Sequence, residues 1–262
     1  MSLKLICLDV GNTTIHSGCF VEDRFLMQQS LSTEEVIREP VQLDALIEKL
    51  APAEKGPWDA SFCSVSPKVN EHLEKALSRR VETIFQLTAS TCSAVTITHP
   101  KPSEIGADRI ANAIAAQAHH GTPAIVIDLG TATTFDVIGS RTGYEGGIIA
   151  PGLALMTDYL AERTALLPRL EPDLTLPKSF IGRSTKEAMQ VACSVGFPAM
   201  INAILQPVQA ELAKKEGKSP VVIATGGTAL ELNKAMKTNW TIDLVLTLRG
   251  LVEAFRFHHD RH

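Results

Sequence analysis

The chain has 262 residues, 45% of them hydrophobic and 21% charged, with a net charge of -4. This length is enough for one large domain or for two domains of about 130 residues, and the acidic balance argues against a general nucleic-acid-binding protein, which needs a basic face. No apolar window approaches ~20 residues and no signal peptide is recognisable, so we expect no membrane span and a cytoplasmic location.

The first half of the chain begins with predicted β-structure. Apolar runs predict strands at 3–8, at 15–21 and from Phe25 onward. From Glu34 the pattern predicts a short turn and then, after Pro40, a helix from about Val41 to Leu50. The next segments are predicted to be a loop at 52–57, a strand at 60–65, a helix at 67–79 and extended pieces at 82–87 and 94–98.

The second half repeats this order after an alanine-rich helix predicted at 105–119. Its predicted elements are strands at 124–127, 133–138 and 147–149, a helix at 153–164, a helical stretch at 185–215 and a strand at 221–224. Pro198 and Pro207 are expected to bend or interrupt the long helical stretch. The repetition predicts a duplicated α/β architecture with a cleft between the halves, and we place the domains at 1–117 and 118–262.

Two similar turns follow the first strand of each half. Their sequences are Asp9-Val10-Gly11-Asn12-Thr13-Thr14 and Asp128-Leu129-Gly130-Thr131-Ala132-Thr133-Thr134. Each places an acid at the exit of an apolar strand, then a glycine that lets backbone N–H groups approach an anion, then side chains that can donate hydrogen bonds to phosphate oxygens. One copy alone could be an ordinary strand-to-turn corner, but two copies favour phosphate binding.

The two acids cannot bind phosphate directly. Like charges about 4 Å apart repel by roughly 4 kcal/mol at an effective dielectric constant of 20, so we expect a cation, and Mg²⁺ with retained waters fits Asp9. Either acid could instead cap its own turn through backbone N–H groups. Gly226 and Gly227 would let adenine lie against the backbone, although such a pair after a strand is also a common turn.

These segments, in their order and spacing, resemble the type III pantothenate kinases of the acetate and sugar kinase, Hsc70 and actin superfamily. The resemblance covers nearly the whole chain and includes the two turns, Gly106-Ala107-Asp108-Arg109, Gly146-Gly147-Ile148-Ile149-Ala150-Pro151-Gly152, Ile181-Gly182-Arg183-Ser184-Thr185 and Leu246-Thr247-Leu248-Arg249-Gly250-Leu251. It implies two ribonuclease H-like (actin-like) domains with an interdomain nucleotide cleft. It also implies ATP-dependent phosphorylation of pantothenate to 4'-phosphopantothenate, the first step towards coenzyme A.

The resemblance also implies roles for individual residues. Asp108 would be the catalytic base, and the substrate-binding residues would be His99, Gly106, Ala107, Asp108, Arg109 and Thr185. The ATP-binding residues would be Asp9, Val10, Gly11, Asn12, Thr13, Thr14, Ile15, His16, Thr131, Gly226 and Gly227. Asp9 would hold Mg²⁺ through water and Asp128 a monovalent cation, K⁺ or NH4⁺. The family is usually homodimeric, and neither nucleic acid nor membrane is an expected partner.

The residue chemistry is compatible with these roles, and each has an alternative. Asp108 at a helix N-terminus, directly before Arg109, should remain ionised and accept a hydroxyl proton, which typically contributes about 100-fold to 10,000-fold. It could instead only stabilise the first helical turn. Arg109 matches a substrate carboxylate, but could form a surface ion pair with Glu104. Thr185 could contact pantothenate or serve as a helix N-cap.

Three positions depart from the family pattern. His99 stands where tyrosine is frequent, His16 where lysine or an aliphatic residue is frequent, and Ala192 where glycine is common. These departures leave the details of the pantothenate pocket and the cation requirement open.

Two other functions remain as alternatives. They are a non-catalytic regulatory homologue, and an ATPase or phosphatase acting on polyphosphate or another anion. Asp9, Asp108, Arg109 and Asp128 are all in place, which favours the kinase.

Overall fold

The structure is a computed structural model that describes residues 2–51 and 56–260. Its strands are β1 Lys4–Val10, β2 Thr14–Val21, β3 Arg24–Ser32, β4 Asp59–Ser64, β5 Ile84–Gln86, β6 Ala124–Leu129, β7 Ala132–Gly139, β8 Gly143–Pro151, β9 Val221–Thr225 and β10 Thr241–Ile242. Its helices are α1 Thr33–Arg38, α2 Val41–Leu50, α3 Pro67–Leu77, α4 Ala107–Ala115, α5 Leu153–Arg163, α6 Thr185–Val191, α7 Phe197–Glu216, α8 Ala229–Met236 and α9 Leu246–His259.

The chain forms two compact units with the same sheet topology. The first comprises the residues up to His119 and those from Val245 onward, and the second is His120–Leu244. The strand order is β3-β2-β1-β4-β5 in the first sheet and β8-β7-β6-β9-β10 in the second. In each, the central strand is antiparallel to the strand that follows it in the chain and parallel to the fourth strand of the unit. The predicted duplicated α/β fold is confirmed.

The last helix belongs to the first unit, whereas our division by sequence grouped residues 118–262 together. Helix α9 packs against α4, β1 and β4. The Ser61 hydroxyl on β4 donates a hydrogen bond to the Leu251 carbonyl on α9 at 2.9 Å. The reason is its apolar face, which finds a complementary surface on the first sheet although more than 100 residues of chain separate the two. Sequence order alone does not show such a return.

Both faces of the first sheet are covered, which explains why β1 is apolar at almost every position. Leu8 points into a cluster shared with α2 and α3, whereas Leu5, Cys7 and Cys63 point into the cluster formed with α4 and α9. Side chains alternate along a strand, so Asp9 lies on the same side as Leu5 and Cys7. The acid therefore ends the row that faces α4.

The second sheet is anchored on one face by α7. Ile125, Ile127 and Leu129 of β6 share a core cluster with Phe197 and Ile201 of that helix. By the same alternation, the Asp128 side chain lies on the opposite face of β6.

Several predicted elements differ in extent from the structure. The predicted extended piece at 94–98 is wrong, since it contains only an isolated bridge at Ile97, and the predicted loop at 52–57 lies mostly outside the described residues. The expected turn from Glu34 is the short helix α1, for which Ser32 is the N-cap. The alanine-rich helix starts at Ala107 and ends in a π-helical turn at Ala116–His120.

The long helical stretch is divided by a π-helical turn at Ala192–Gly196. The break lies just before Pro198, as expected, and proline is tolerated there because the first turn of a helix has no internal acceptor for its missing N–H. Pro207, by contrast, lies inside the continuous helix α7.

This stretch, Thr185–Glu216, is long and apolar enough by length and composition to cross a membrane, with a mean hydropathy of 1.5 in its most apolar window. The finding differs from the expectation of no span, which was based on uninterrupted apolar runs. Length and composition alone do not separate a span from a core helix. Phe197, Ile201, Leu205 and Leu212 of this stretch are buried in the core of the second unit.

Candidate active site

The first turn connects β1 to β2 and is fastened from outside by Thr33. The Gly11 amide donates to the Thr14 carbonyl at 3.0 Å, and a side chain on Gly11 would place its Cβ only 2.8 Å from that oxygen. Thr33 donates from its hydroxyl to the Gly11 carbonyl at 2.9 Å and from its amide to the Thr13 carbonyl at 3.0 Å. Asn12 and Thr13 are exposed at the tip of the turn. The two side chains thus lie at the surface, above a backbone that Thr33 fixes.

Three other predicted ATP-binding positions have side chains occupied elsewhere. Val10 and Ile15 are buried in the core cluster beneath the turn, so only their backbone atoms could face a ligand. His16 lies on β2, with its Nδ1 3.0 Å from the Ser30 hydroxyl on β3.

Asp9, at the end of β1, is directly opposite Cys63 on the parallel strand β4. The Cys63 thiol donates a hydrogen bond to Asp9 Oδ1, with Sγ at 3.4 Å. Burial raises the pKa of Cys63 well above its ordinary value, and the negative charges of Asp9 and Asp108 raise it further. The thiol is therefore a neutral donor, and it brings the two predicted functional acids of the first unit into one electrostatic neighbourhood.

Asp108 lies in the first turn of α4, which starts after Gly106. Its Oδ1 accepts a hydrogen bond from the Arg109 amide at 2.9 Å. Burial raises the pKa of Asp108 above its ordinary value, and the Arg109 amide and guanidinium oppose this only in part. The sequence shows the helix terminus and Arg109 but not this burial. A raised pKa brings a carboxylate closer to the range in which a general base is effective.

A cavity of about 730 Å³ opens beside the start of α4. It is lined by Ser64 and Val65 at the end of β4, by Gly106 and Ala107, and by hydroxyl-bearing residues including Thr88. Glu104 forms an ion pair with Lys101 at 2.8 Å, so the alternative pairing of Glu104 with Arg109 is not needed to neutralise it. The cavity gives a small molecule access to the region of Asp108.

The second turn follows β6 in the second unit. The Gly130 amide donates to the Ala132 carbonyl at 3.1 Å, and the Gly152 amide donates to the Thr131 carbonyl at 3.2 Å. Thr131 is exposed. Unlike Gly11, Gly130 is not sterically required, since a Cβ there would lie 3.7 Å from its nearest neighbour. Asp128, at the end of β6, is the acid of this turn.

The glycine pair predicted to contact adenine lies against this second turn. Gly226 has a φ of +90°, and a Cβ on it would lie 2.7 Å from the Leu129 backbone, so only glycine fits. The Thr228 amide donates to the Leu129 carbonyl at 3.3 Å. The structure thus brings together Asp128, Gly226 and Gly227 within the second unit, although they are about 100 residues apart in sequence.

His99 belongs to the first unit and Thr185 to the second. The His99 Nδ1 accepts from the Lys101 amide at 3.2 Å. Thr185 opens α6 in the second unit and is exposed. The N-cap of that helix is Ser184, whose hydroxyl accepts from the Glu187 amide at 3.2 Å, so the alternative role of Thr185 as an N-cap is wrong. Its exposed hydroxyl is available to a ligand.

The acids at the strand ends fit weakly held, hydrated cations. Within residues 2–51 and 56–260, no group of three or more His, Cys, Asp or Glu side chains could hold a metal ion. A carboxylate at a strand end, such as Asp9, matches the way Mg²⁺ is usually bound by enzymes of phosphate chemistry, through one or two carboxylates, waters and substrate phosphates.

Sequence analysis missed residues that support the site from behind. The sequence pattern assigned no role to Cys63. The Thr247 hydroxyl donates to Asn112 Oδ1 at 2.8 Å in a buried contact between α9 and α4, and Gly250 lies against the Ala111 backbone. Gly250 stands in one of the strings that carried the resemblance, but only the packing of the two helices shows what Gly250 and Asn112 do.

Comparison with known proteins agrees with this arrangement. Residues 5–207 match the family model described as type III pantothenate kinase. A type III pantothenate kinase of Methylacidiphilum infernorum is 36% identical over 247 residues, covering 94% of this chain and 86% of that protein. One from Akkermansia muciniphila is 43% identical over 195 residues, covering 74% and 77%.

A solved structure supports the fold alone. A Sinorhizobium meliloti protein described as a 2-dehydro-3-deoxygalactonokinase superposes with a TM-score of 0.63 at 13% identity, covering 97% of this chain and 96% of that one. The family match and the relatives at more than 30% identity decide the assignment: this chain belongs to the type III pantothenate kinase family.

Proposed function

We propose that this protein transfers the terminal phosphoryl group of ATP to the primary hydroxyl of pantothenate, forming 4'-phosphopantothenate. The observation that carries the proposal is the setting of Asp108. It is a partly buried carboxylate of raised pKa, at the start of a helix and beside a cavity large enough for a small molecule. Family membership adds the identity of the acceptor.

Asp108 acts as the general base. Phosphoryl transfer depends mostly on positioning and on charge stabilisation, and the acceptor hydroxyl must lose its proton as it attacks the terminal phosphorus in line. The Arg109 amide holds Asp108 Oδ1 at 2.9 Å, which fixes the orientation of the carboxylate. Arg109 binds the pantothenate carboxylate through its two parallel N–H donors, and the adjoining cavity of the first unit takes the rest of the acceptor, near His99. Thr185 of the second unit contributes a hydroxyl contact to the substrate.

The two turns serve the nucleotide. The exposed Asn12 and Thr13 side chains and the fixed amides around Gly11 donate to phosphate oxygens, and Thr131 does so from the second turn. Gly226 and Gly227 present a flat backbone surface to adenine. When bound, Mg²⁺ would neutralise the phosphate charge near Asp9 through its waters, and K⁺ or NH4⁺ would be held by Asp128.

The base is tested by measuring pantothenate-dependent ADP formation in wild type and Asp108→Asn. We expect kcat to fall by about 100-fold or more, because a positioned base contributes about that much. The matched control is Asp44→Asn, which removes an exposed carboxylate paired with Arg79 at 2.8 Å, and it should retain wild-type turnover. Absence of pantothenate-dependent turnover in folded wild type, with any monovalent cation, would refute the kinase function.

The requirement for a monovalent cation is tested with the same assay in K⁺, NH4⁺ and Na⁺. The requirement for Mg²⁺ is tested in a parallel reaction from which EDTA removes that ion. We expect turnover to need Mg²⁺ and to respond to K⁺ or NH4⁺ in wild type but not in Asp128→Asn. A variant that keeps the full potassium response would show that Asp128 does not bind the ion.

A homodimer in the cytoplasm completes the proposal. Large apolar side chains are exposed on the second unit between α5 and α6, including Leu166 at 90%, Ile181 at 78% and Phe180 at 66% exposure. Such a group favours an interface, and the expected partner is a second copy of this chain. Ile181→Asp should shift the mass found by light scattering from dimer to monomer, whereas Leu230→Asp, at an exposed site on α8, should not. A monomeric wild type would contradict the dimer.

A further inference from the structure

We propose that Cys63 is a positioning residue for phosphoryl transfer, because its thiol hydrogen bond holds the Asp9 carboxylate in the orientation that receives hydrated Mg²⁺. This inference rests on the proposed kinase function, in which Asp9 holds the ion through water. It assigns a role to a fully buried nucleophilic group that the reaction itself does not use.

The geometry that supports the inference comes from strand register. Cys63 on β4 is the direct neighbour of Asp9 on the parallel strand β1, so both side chains project from the same face of the sheet. Sγ lies 3.4 Å from Oδ1, within the reach of a sulfur donor. Cys63 has no exposed surface, and the cluster around it, with Ile110 and Leu251, limits its rotation.

The chemistry of the donor also fits the position. A carboxylate that holds a hydrated cation must keep its charge and present its oxygens in one direction, and a neutral donor at its side fixes that direction without competing for the ion. A lysine or arginine there would repel the metal, and a carboxylate would repel Asp9. A thiol or a hydroxyl is the small neutral donor that the buried space allows.

The test compares Cys63→Ala, which removes the donor, with Cys63→Ser, which retains one. The matched control is Cys19→Ala, which deletes the same atom from a buried site on the other face of the sheet. For each variant we would measure the Mg²⁺ concentration that gives half-maximal turnover. We would also measure the dissociation constant of Mn²⁺ in the presence of a non-hydrolysable ATP analogue, by electron paramagnetic resonance. The second measurement needs no catalysis.

We expect Cys63→Ala to weaken both metal constants by about fivefold to tenfold, since a thiol is a weak donor but its acceptor is charged. Cys63→Ser and Cys19→Ala should stay within about twofold of wild type. In an Asp9→Asn background the Cys63→Ala substitution should have no further effect, because the acceptor charge is gone.

Unchanged metal constants in a folded Cys63→Ala protein, or the same weakening in Cys19→Ala, would overturn the inference. If Cys63→Ala does not fold, the inference is tested with Cys63→Ser. A weakening of its metal constants by more than about fivefold would show that a donor at this position is not sufficient to orient Asp9, and would overturn the inference. Wild-type protein that binds Mn²⁺ with the nucleotide but does not phosphorylate pantothenate would refute the proposed function. The role of Cys63 would then be tested by the Mn²⁺ dissociation constants alone.

Discussion

The close approach of α9 to α4 gives a prediction about Gly250. An alanine at this position would place its Cβ 2.5 Å from the Ala111 carbonyl carbon and 2.9 Å from its Cα, with the carbonyl oxygen nearer still. These are backbone atoms of α4, which cannot rotate away as the end of a side chain could. Gly250→Ala must therefore push α9 away from α4.

The size of the effect follows from two opposing contributions. Alanine in place of glycine favours a helix by about 1 kcal/mol, whereas overpacking a close contact costs about 1 to 3 kcal/mol and occasionally more. Because the contacted atoms belong to the backbone, we expect the overpacking cost to lie at the upper end of its range. The net loss in the free energy of unfolding is then about 2 kcal/mol. Gly196→Ala is the control, since Gly196 has helical dihedral angles and its nearest neighbour would be Met156 Cε at 3.9 Å. It should stabilise the protein by up to about 1 kcal/mol.

The measurement is urea unfolding followed by circular dichroism, together with pantothenate-dependent turnover of the same samples. Helix α4 carries Asp108 at its first turn, and a displacement of about 1 Å can reduce catalysis by roughly 100-fold. We expect Gly250→Ala to lose both stability and kcat, and Gly196→Ala to lose neither. Equal stability of the two variants would refute the close helix contact and the argument built on it.

Three further predictions concern the same units. Burial raises the pKa of Asp108. The contribution of protonated Asp108 to the free energy of unfolding is therefore fully present below the ordinary aspartate pKa, and it is lost as the pH rises through the raised pKa. Asp108→Asn should therefore melt above wild type at pH 8 but not at pH 3 in calorimetry, and identical differences at both pH values would contradict this. Thr247→Val removes the donor to Asn112 Oδ1 and should cost about 1 to 3 kcal/mol in urea unfolding, whereas Thr247→Ser should not. Gly226→Ala forces a side chain to a φ of +90° against Leu129 and should cost more than about 1 kcal/mol, while Gly227→Ala, with open space around its Cβ, should melt like wild type.

The order of the strands could be predicted from the sequence because each is a local apolar run. The strands around β1 and β6 were predicted in their correct places, and so was their repetition, since period and turn residues are properties of short segments. The piece at 94–98 has the same local composition but forms no strand, because composition alone does not give a segment a neighbouring strand to pair with. The helical stretch at 185–215 was predicted to be bent or interrupted at Pro198 and Pro207, and the structure has a π-helical turn just before Pro198, whereas Pro207 lies inside α7.

The candidate site was predictable to the extent that its residues form contiguous strings. The turns at Asp9 and Asp128 and the start of α4 at Asp108 could be found because a strand end or a helix start holds neighbouring residues in a fixed relation. The pKa of Asp108 could not, since its raised value comes from burial by segments distant in sequence. Nor could the partnership of Cys63 with Asp9, which depends on the register of β4 beside β1.

The sequence by itself thus determined the duplicated α/β pattern, the two glycine turns and the family. Propensity, periodicity and turn chemistry act over a few residues, and these features need nothing more. Only the tertiary structure decided that α9 returns to the first unit, that Gly250 and Thr247 hold α4 in place, and that Asp9, Cys63 and Asp108 share one buried neighbourhood. Those relations join residues more than 50 positions apart in the sequence, and burial and packing between distant segments are fixed only when the whole core forms.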